Sequence, residues 1–165
     1  VKEAKATNSM IAQGVDVVTC HVDSPKVVIE TAERAGIYTS GYHTNQAKLA
    51  PKGYLTGAEW QWEKIYVDFV ETMKKGGVPG NFVRGGLKEG YVKTSPFGPA
   101  VSDAAKAKVE EARKGIVDGS FAIFKGPLKD NKGNTVIAAG TTYTQTEPVL
   151  EGMNYLVEGV LGATS

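Results

Sequence analysis

The sequence predicts an α/β fold built around a parallel sheet. Two apolar segments rich in β-branched residues, 15–22 and 37–42, are separated by a stretch with helical periodicity at 24–36. A third apolar segment, 54–60, is followed by another helical stretch. Strand–helix–strand units of this length form right-handed crossovers and bind ligands beyond the carboxyl ends of their strands. We therefore expect a Rossmann-like sheet whose functional residues follow its strands.

The composition is that of a globular protein that handles small molecules. The chain has 165 residues, of which 41% are hydrophobic, and its 19 Lys and Arg residues are matched by 18 Asp and Glu residues. Both signs are scattered along the chain, which gives no electrostatic footprint for nucleic acid, and the apolar runs are too short to cross a bilayer. The chain opens on Val1 inside a helical pattern, so we expect any targeting segment to lie upstream.

The elements of the first half are set by caps and periodicity. A helix is predicted over 3–13, and the continuous apolar run 15–22 is typical of a central strand in a parallel sheet. Ser24 stands at an N-cap position and Pro25 at the first helical position. Gly36 then ends this helix before the second strand.

The second half continues the alternation and then changes character. Apolar residues at helical spacing predict a helix over 65–76, and segment 81–98 looks like two short strands around the turn "GGLKEG". A helix starts at Ser102, and a β-hairpin with a "DNKG" turn follows over 121–137. Thr146 opens a last helix. The other residues on which the prediction of this helix rests are Pro148, Leu150, Met153, Val157 and Val160.

The segment "HVD" is the first candidate for chemistry. On a strand, His21 and Asp23 would share one side, as a metal pair or as a base with an orienting carboxylate, whereas Cys20 would face the core. A metal is disfavoured because His43 is the one other histidine and three or four converging ligands are required. Asp23 is equally well explained as a cap of the following helix.

Polar and aromatic residues also follow the next two strands. "GYHTNQ" places His43 near His21 if the strands are neighbours, and "EWQW" adds two tryptophans, of which at most one should meet a ligand. "GGLKEG" lacks the spacing of a phosphate-binding loop, and no nucleophile elbow is present. We therefore expect no enzyme activity, no cofactor and no resident metal.

Three longer segments carry a family resemblance. "GVDVVTCHVDSPKVVIETAERAGIYTSGYHTNQAKLAPKGYLTGAEWQW", "GGLKEGYVKTSPFGPAVS" and "KGIVDGSFAIFKGPL" resemble the C-terminal half of the basic membrane protein (BMP) family of ABC-transporter substrate-binding lipoproteins. The resemblance implies a type I periplasmic-binding-protein fold of two lobes. Residues 1–100 would form the second lobe, and the helix, hairpin and final helix of 101–165 would return toward the first lobe, which this chain lacks.

The sequence departs from the nucleoside-binding members of that family. Where they resemble one another in an acidic stretch that would bind ribose hydroxyls, this chain has His43, Thr44 and Asn45, and Trp60 stands near a common lysine position. The loss of these sugar contacts favours a purine base without its sugar, such as adenine. Asp23 could then accept a hydrogen bond from an exocyclic amine.

The resemblance thus implies a solute-binding protein of an ABC importer. Its partners would be a purine base or nucleoside and a permease, and it would be periplasmic or otherwise extracytoplasmic, as a soluble protein or a lipoprotein anchored outside this chain. The alternatives are a metal or acid/base enzyme using His21, Asp23 and His43, and a ligand-sensing module without a transporter. The predicted ligand-binding residues are His21, Asp23, Tyr42, His43, Asn45, Glu59, Trp60 and Gly86.

Overall fold

A computed structural model describes residues 2–144 and 147–164 and divides the chain into two compact units, residues 1–113 and 114–165. The helices are α1 (Lys2–Ala12), α2 (Pro25–Ala35), α3 (Trp62–Lys74) and α4 (Asp103–Asp118). The strands are β1 (Val17–Thr19), β2 (Tyr38–His43), β3 (Tyr54–Trp60), β4 (Val92–Thr94), β5 (Phe124–Lys125), β6 (Leu128–Lys129), β7 (Thr135–Ile137) and β8 (Thr142–Tyr143). Short 3₁₀ turns occupy Ala47–Leu49 and Pro148–Leu150.

The sheet of the first unit confirms the predicted α/β class. Its strand order is β1-β2-β3-β4; β1, β2 and β3 run parallel, and β4 pairs antiparallel with β3. The register places Gly41 opposite Gly57 and His43 opposite Glu59. Helix α2 joins β1 to β2 as the crossover of a βαβ unit. The carboxyl ends of the three parallel strands therefore lie along one edge.

Strand β1 corrects the prediction of a central strand over 15–22. It spans three residues and stands at the end of the strand order. Its burial alternates, because Val18 is 4% exposed whereas Val17 is 42% exposed. A continuous apolar run indicates burial on both faces, but here only the face that carries Val18 is covered.

The core of this unit is organised by Tyr54. Its side chain is 1% exposed and packs in a cluster with Ile29 of α2 and Ala50. The phenol donates a hydrogen bond to Ser95 Oγ at 2.9 Å, just beyond β4. A buried hydroxyl needs such a partner. The same side chain therefore ties α2, β3 and the segment after β4 together.

Two loops of the first unit are held by specific contacts. The Glu33 carboxylate accepts hydrogen bonds from the backbone N–H groups of Lys52, at 3.1 Å, and Gly53, at 2.8 Å. This pins the "APKGYLTG" segment to α2. In the "SPFG" loop, Gly98 N–H donates to the Leu55 carbonyl at 2.8 Å, an approach that a β-carbon at Gly98 would block.

Helix α3 confirms the predicted helix but buries none of its residues. Ile65 and Phe69 are half-buried, whereas Tyr66 is 62% exposed. The prediction of two strands in 81–98 is half wrong, because residues 81–84 form bends and irregular backbone and only β4 is a strand. Val83 is exposed, so the apolar residues of this segment have no buried sheet face on which to pack, and the alternating pattern does not produce a strand.

In the second unit, β6 and β7 form the predicted hairpin around the "DNKG" turn, while β5 pairs with β8. Asp130 organises the turn: it accepts hydrogen bonds from the side-chain amide of Asn134 and from the backbone N–H groups of Asn134 and Lys132. The hydrogen bond from the Asn134 side chain is the main reason that the pKa of the Asp130 carboxyl lies below its usual value.

The predicted last helix is wrong in the residues that the structure describes, and Thr146 lies outside them. After the 3₁₀ turn at Pro148–Leu150 the chain forms turns, and Val157 makes an isolated bridge with Asp130. Gly159 has a φ of 89°, which a right-handed helix cannot contain. Among the described residues, no helix combines the length and apolar character needed to span a membrane.

The Tyr54 contact predicts that Gly57 cannot carry a side chain. A β-carbon there would lie 2.6 Å from the Gly41 carbonyl oxygen and 2.7 Å from the Tyr54 hydroxyl. We expect Gly57→Ala to lower the free energy of unfolding by about 1–3 kcal/mol, as overpacking does. Urea unfolding measures this. Gly80→Ala is the control, since its nearest atom is at 3.5 Å; equal stability of the two variants would contradict the prediction.

Candidate functional site

A row of aromatic rings follows the carboxyl ends of the three parallel strands. The ring centroids of Tyr42 lie 4.8 Å from His21, 4.2 Å from His43 and 6.2 Å from Trp60. The row continues onto α3, with 5.6 Å between Trp60 and Trp62 and 6.1 Å between Trp62 and the next ring. We call the aromatic row His21, Tyr42, His43, Trp60, Trp62 and Tyr66. It forms a partly exposed surface of flat rings.

His43 joins this row because its backbone is left-handed, with a φ of 73°. Register and strand alternation alone would turn its ring to the side of Glu59. Instead the ring packs against Tyr42, and its Nδ1 accepts a hydrogen bond of 3.1 Å from Trp60 Nε1. An indole can only donate, so the bond requires an unprotonated Nδ1 and places the proton of the neutral imidazole on Nε2.

A pocket of about 490 Å³ opens beside the row, on the less covered face of the sheet. Cys20 is half-buried in its wall rather than in the core, and burial raises the pKa of its thiol. The thiol is therefore a poor nucleophile at neutral pH. We call this the sheet-face pocket; its lining residues are Thr19, Cys20, His21, Ser40, Gly41, Tyr42 and Ala58.

A second pocket, of about 450 Å³, contains a buried carboxylate. The Glu59 side chain is 10% exposed, and its Oε2 lies 3.5 Å from Lys93 Nζ. Its Oε1 is buried and has no hydrogen-bond partner in the part of the chain that the structure describes. We call this the carboxylate pocket; its lining residues are Asn45, Glu59, Lys93, Thr94, Ser95, Pro96, Phe97 and Glu110.

The structure brings six of the eight predicted site residues to two places and leaves two elsewhere. The aromatic row contains His21, Tyr42, His43 and Trp60, and the carboxylate pocket contains Asn45 and Glu59. Asp23 and Gly86 line neither of these two pockets.

The geometry corrects the expected pairing of His21 with Asp23. Strand β1 ends at Thr19, so both residues lie in the following loop and strand alternation does not govern them. Asp23 is exposed. The Gly86 N–H donates to Glu89 Oε2 at 2.7 Å, and its carbonyl accepts from Tyr91, as in a tight turn. Across residues 2–144 and 147–164, no group of three or more potential metal ligands comes together.

Lys93 and Phe97 belong to the carboxylate pocket but were not predicted. Lys93 reaches Glu59 because β4 pairs antiparallel with β3, with Glu59 opposite Lys93. The sequence signal was the alternation at 91–95, but it does not say which strand β4 joins. Trp62 begins α3, and its ring packs on Trp60.

Solved structures with a similar fold include ABC transporter solute-binding proteins and a transcriptional activator. A transcriptional activator of the comK gene from Bacillus halodurans matches 71% of this chain and 42% of its own, with 19% identity and a TM-score of 0.66. An ABC transporter solute-binding protein from Conexibacter woesei matches 74% of this chain and 41% of its own, with 17% identity and a TM-score of 0.58. The fold is thus that of part of a periplasmic-binding-protein lobe.

Sequence comparison shows the family. The family model for PnrA-like ABC transporter substrate-binding proteins, Bmp, matches residues 1–122. A purine-binding protein of Brucella abortus (strain 2308) is 35% identical over 159 residues, covering 96% of this chain and 44% of the relative. A Haloferax volcanii protein named "Putative ABC transporter glucose-binding protein" is 27% identical over 158 residues, covering 96% of this chain and 37% of the relative. The chain therefore belongs to the Bmp family, and it spans less than half the length of both relatives.

The backbone at His43 generates a prediction about stability. A residue with a β-carbon is strained at positive φ, whereas glycine is not, so we expect His43→Gly to be more stable than His43→Ala by about 1 kcal/mol. Both variants lack the ring and its bond to Trp60, so the comparison isolates the backbone. The measurement is the free energy of unfolding in urea. An alanine variant as stable as the glycine variant would show that the left-handed turn carries no strain.

Proposed function

We propose that this chain is part of an extracytoplasmic solute-binding protein that captures a purine base, adenine-like, for the permease of an ABC importer. The observation that carries the proposal is the aromatic row at the carboxyl ends of β1, β2 and β3. Ligands of open α/β sheets bind at such strand ends. Flat rings with polar edges are complementary in shape and polarity to a nitrogen heterocycle.

The sheet-face pocket supports a ligand of this size. Its volume of about 490 Å³ lies within the range of small-molecule sites, and Tyr42 and His21 stand in its wall. His43 is locked by its bond to Trp60, so a ring that stacks on this pair meets a surface that is already ordered. Such preorganisation lowers the entropic cost of binding.

The polar groups favour a free base over a nucleoside. A sugar presents several hydroxyl donors, which paired carboxylates would accept, and the row itself supplies imidazole, phenol and indole groups instead. The purine-binding relative at 35% identity supports the same ligand class. We propose that Asp23 also accepts a hydrogen bond from a ligand amine, since its exposed carboxylate follows β1 in the same loop as His21.

The proposal also covers the parts of the protein beyond this chain. Residues 1–100 would form one lobe, residues 101–165 would lead toward the other, and closure of the two would remove water from the ligand. A lipid anchor upstream is compatible with it. The relatives' additional length is where the other lobe would be found.

Calorimetric titration of the whole protein tests the ligand. We expect adenine to bind more tightly than adenosine, because the row offers stacking but no paired acceptors for ribose, and we expect glucose to give no heat of binding. Adenosine binding more tightly than adenine would contradict the free-base assignment. Binding of glucose alone would replace the proposed ligand class.

Trp60 should carry much of the stacking. We expect Trp60→Leu to weaken adenine binding about tenfold or more, the range measured when an aromatic platform under a base is removed. Tyr66→Leu is the matched control. Tyr66 is another aromatic residue of the row, but it is exposed and lies on α3, away from the strand ends. Titration of the two variants gives the comparison, and equal losses in both would count against a platform at Trp60.

A further inference from the structure

The buried carboxylate of Glu59 is the least satisfied charged group that borders the candidate site. Nine-tenths of its side chain is buried, and Oε1 has no hydrogen-bond partner among the described residues. A buried charged acceptor without a donor costs more than an ordinary lost hydrogen bond. A donor from outside the chain would remove this cost. Glu59 lines the carboxylate pocket, so a donor that occupies this pocket would approach the carboxylate from there.

Lys93 places a donor directly beside this acceptor. Its Nζ lies 3.5 Å from Glu59 Oε2, which is too long for a strong charge-assisted bond, and its side chain is 47% exposed. The ammonium therefore keeps donors free for another acceptor. The wall of the carboxylate pocket thus presents one acceptor and one donor side by side, with the Phe97 ring as an apolar surface nearby.

We propose that Glu59 and Lys93 determine specificity by reading a donor–acceptor edge of the ligand. The carboxylate accepts from a ligand N–H, and the ammonium donates to the unprotonated nitrogen next to it. An aminopurine has such an edge, formed by its exocyclic amine and the adjacent ring nitrogen. This inference rests on the proposed function, and it adds the chemical pattern by which the ligand is selected.

The position of Glu59 connects the two parts of the site. It directly precedes Trp60 in β3 and is opposite His43 in the register. The left-handed turn at His43 takes that ring to the aromatic row, so the side of the sheet above Glu59 is bordered by Asn45 and not by the imidazole. Trp60 and Glu59 end β3 on opposite sides of the sheet, so a base that binds beyond this strand end would have the indole on one side of the strand end and the carboxylate on the other.

The test compares adenine with unsubstituted purine, which keeps the ring but lacks the exocyclic donor, by calorimetry on the whole protein. We expect the native protein to prefer adenine about tenfold or more, as for a hydrogen bond to a charged group. We expect Glu59→Leu to bind the two bases within about twofold of each other. Glu59→Gln serves as a second variant: its oxygen turns to Lys93, its NH₂ then faces the ligand amine, and the preference should also be lost.

Glu71→Gln is the matched control. Glu71 lines neither pocket, and its carboxylate is half-exposed and pairs with Lys74, so neutralising it should leave the preference for adenine unchanged. Thermal unfolding of each variant shows that it is folded. A native preference that persists in both Glu59 variants, or one that Glu71→Gln removes equally, overturns the inference while leaving purine binding intact. Absence of purine binding by the native protein instead overturns the proposed function, and the inference with it.

Discussion

The contact on which the rest of the first unit depends is the buried phenol of Tyr54. Ideal β-carbons at Gly41 and Gly57 would each lie 2.7 Å from its hydroxyl. The two glycines are opposite each other in β2 and β3, and the space left by their missing side chains accommodates the phenol. Its bond to Ser95 then holds the segment after β4. Because β2, β3 and β4 are fixed to one another here, the strand ends beyond this point present Tyr42, Trp60 and Lys93 in a defined arrangement.

The site is divided by a single backbone torsion. In an undistorted parallel pair, His43 would share a face with Glu59, and an imidazole could fill the space near the carboxylate. The positive φ at His43 sends the ring to Tyr42 and Trp60 instead. Strained backbone of this kind is typical of functional positions. The consequence is a surface of rings on one side of the strand ends and a polar pocket on the other.

The sequence was sufficient for the parts that local rules control. Ser24, Pro25 and Gly36 marked α2 correctly, and strand–helix–strand alternation placed His21, Tyr42 and Trp60 at adjacent strand ends. The predictions that failed concern segments whose structure is set by contacts between residues far apart in the sequence. The apolar pattern after Pro148 is that of a helix, but Gly159 and the bridge from Asp130 to Val157 give a different backbone. Likewise, nothing local to Glu59 indicates that Lys93, far along the chain, pairs opposite it.

Membership of the Bmp family fixes the fold of this chain more firmly than its ligand. A relative named as purine-binding and one named as a putative glucose-binding protein each match 96% of this chain, so membership of the family does not by itself identify the solute. Within this chain, the groups that could contribute to such a choice are the side chains at the strand ends. A sugar would require many hydrogen-bonding partners around its hydroxyls. This chain instead offers flat rings together with one buried acceptor beside one donor, a combination that favours a planar heterocycle with few polar groups on a single edge.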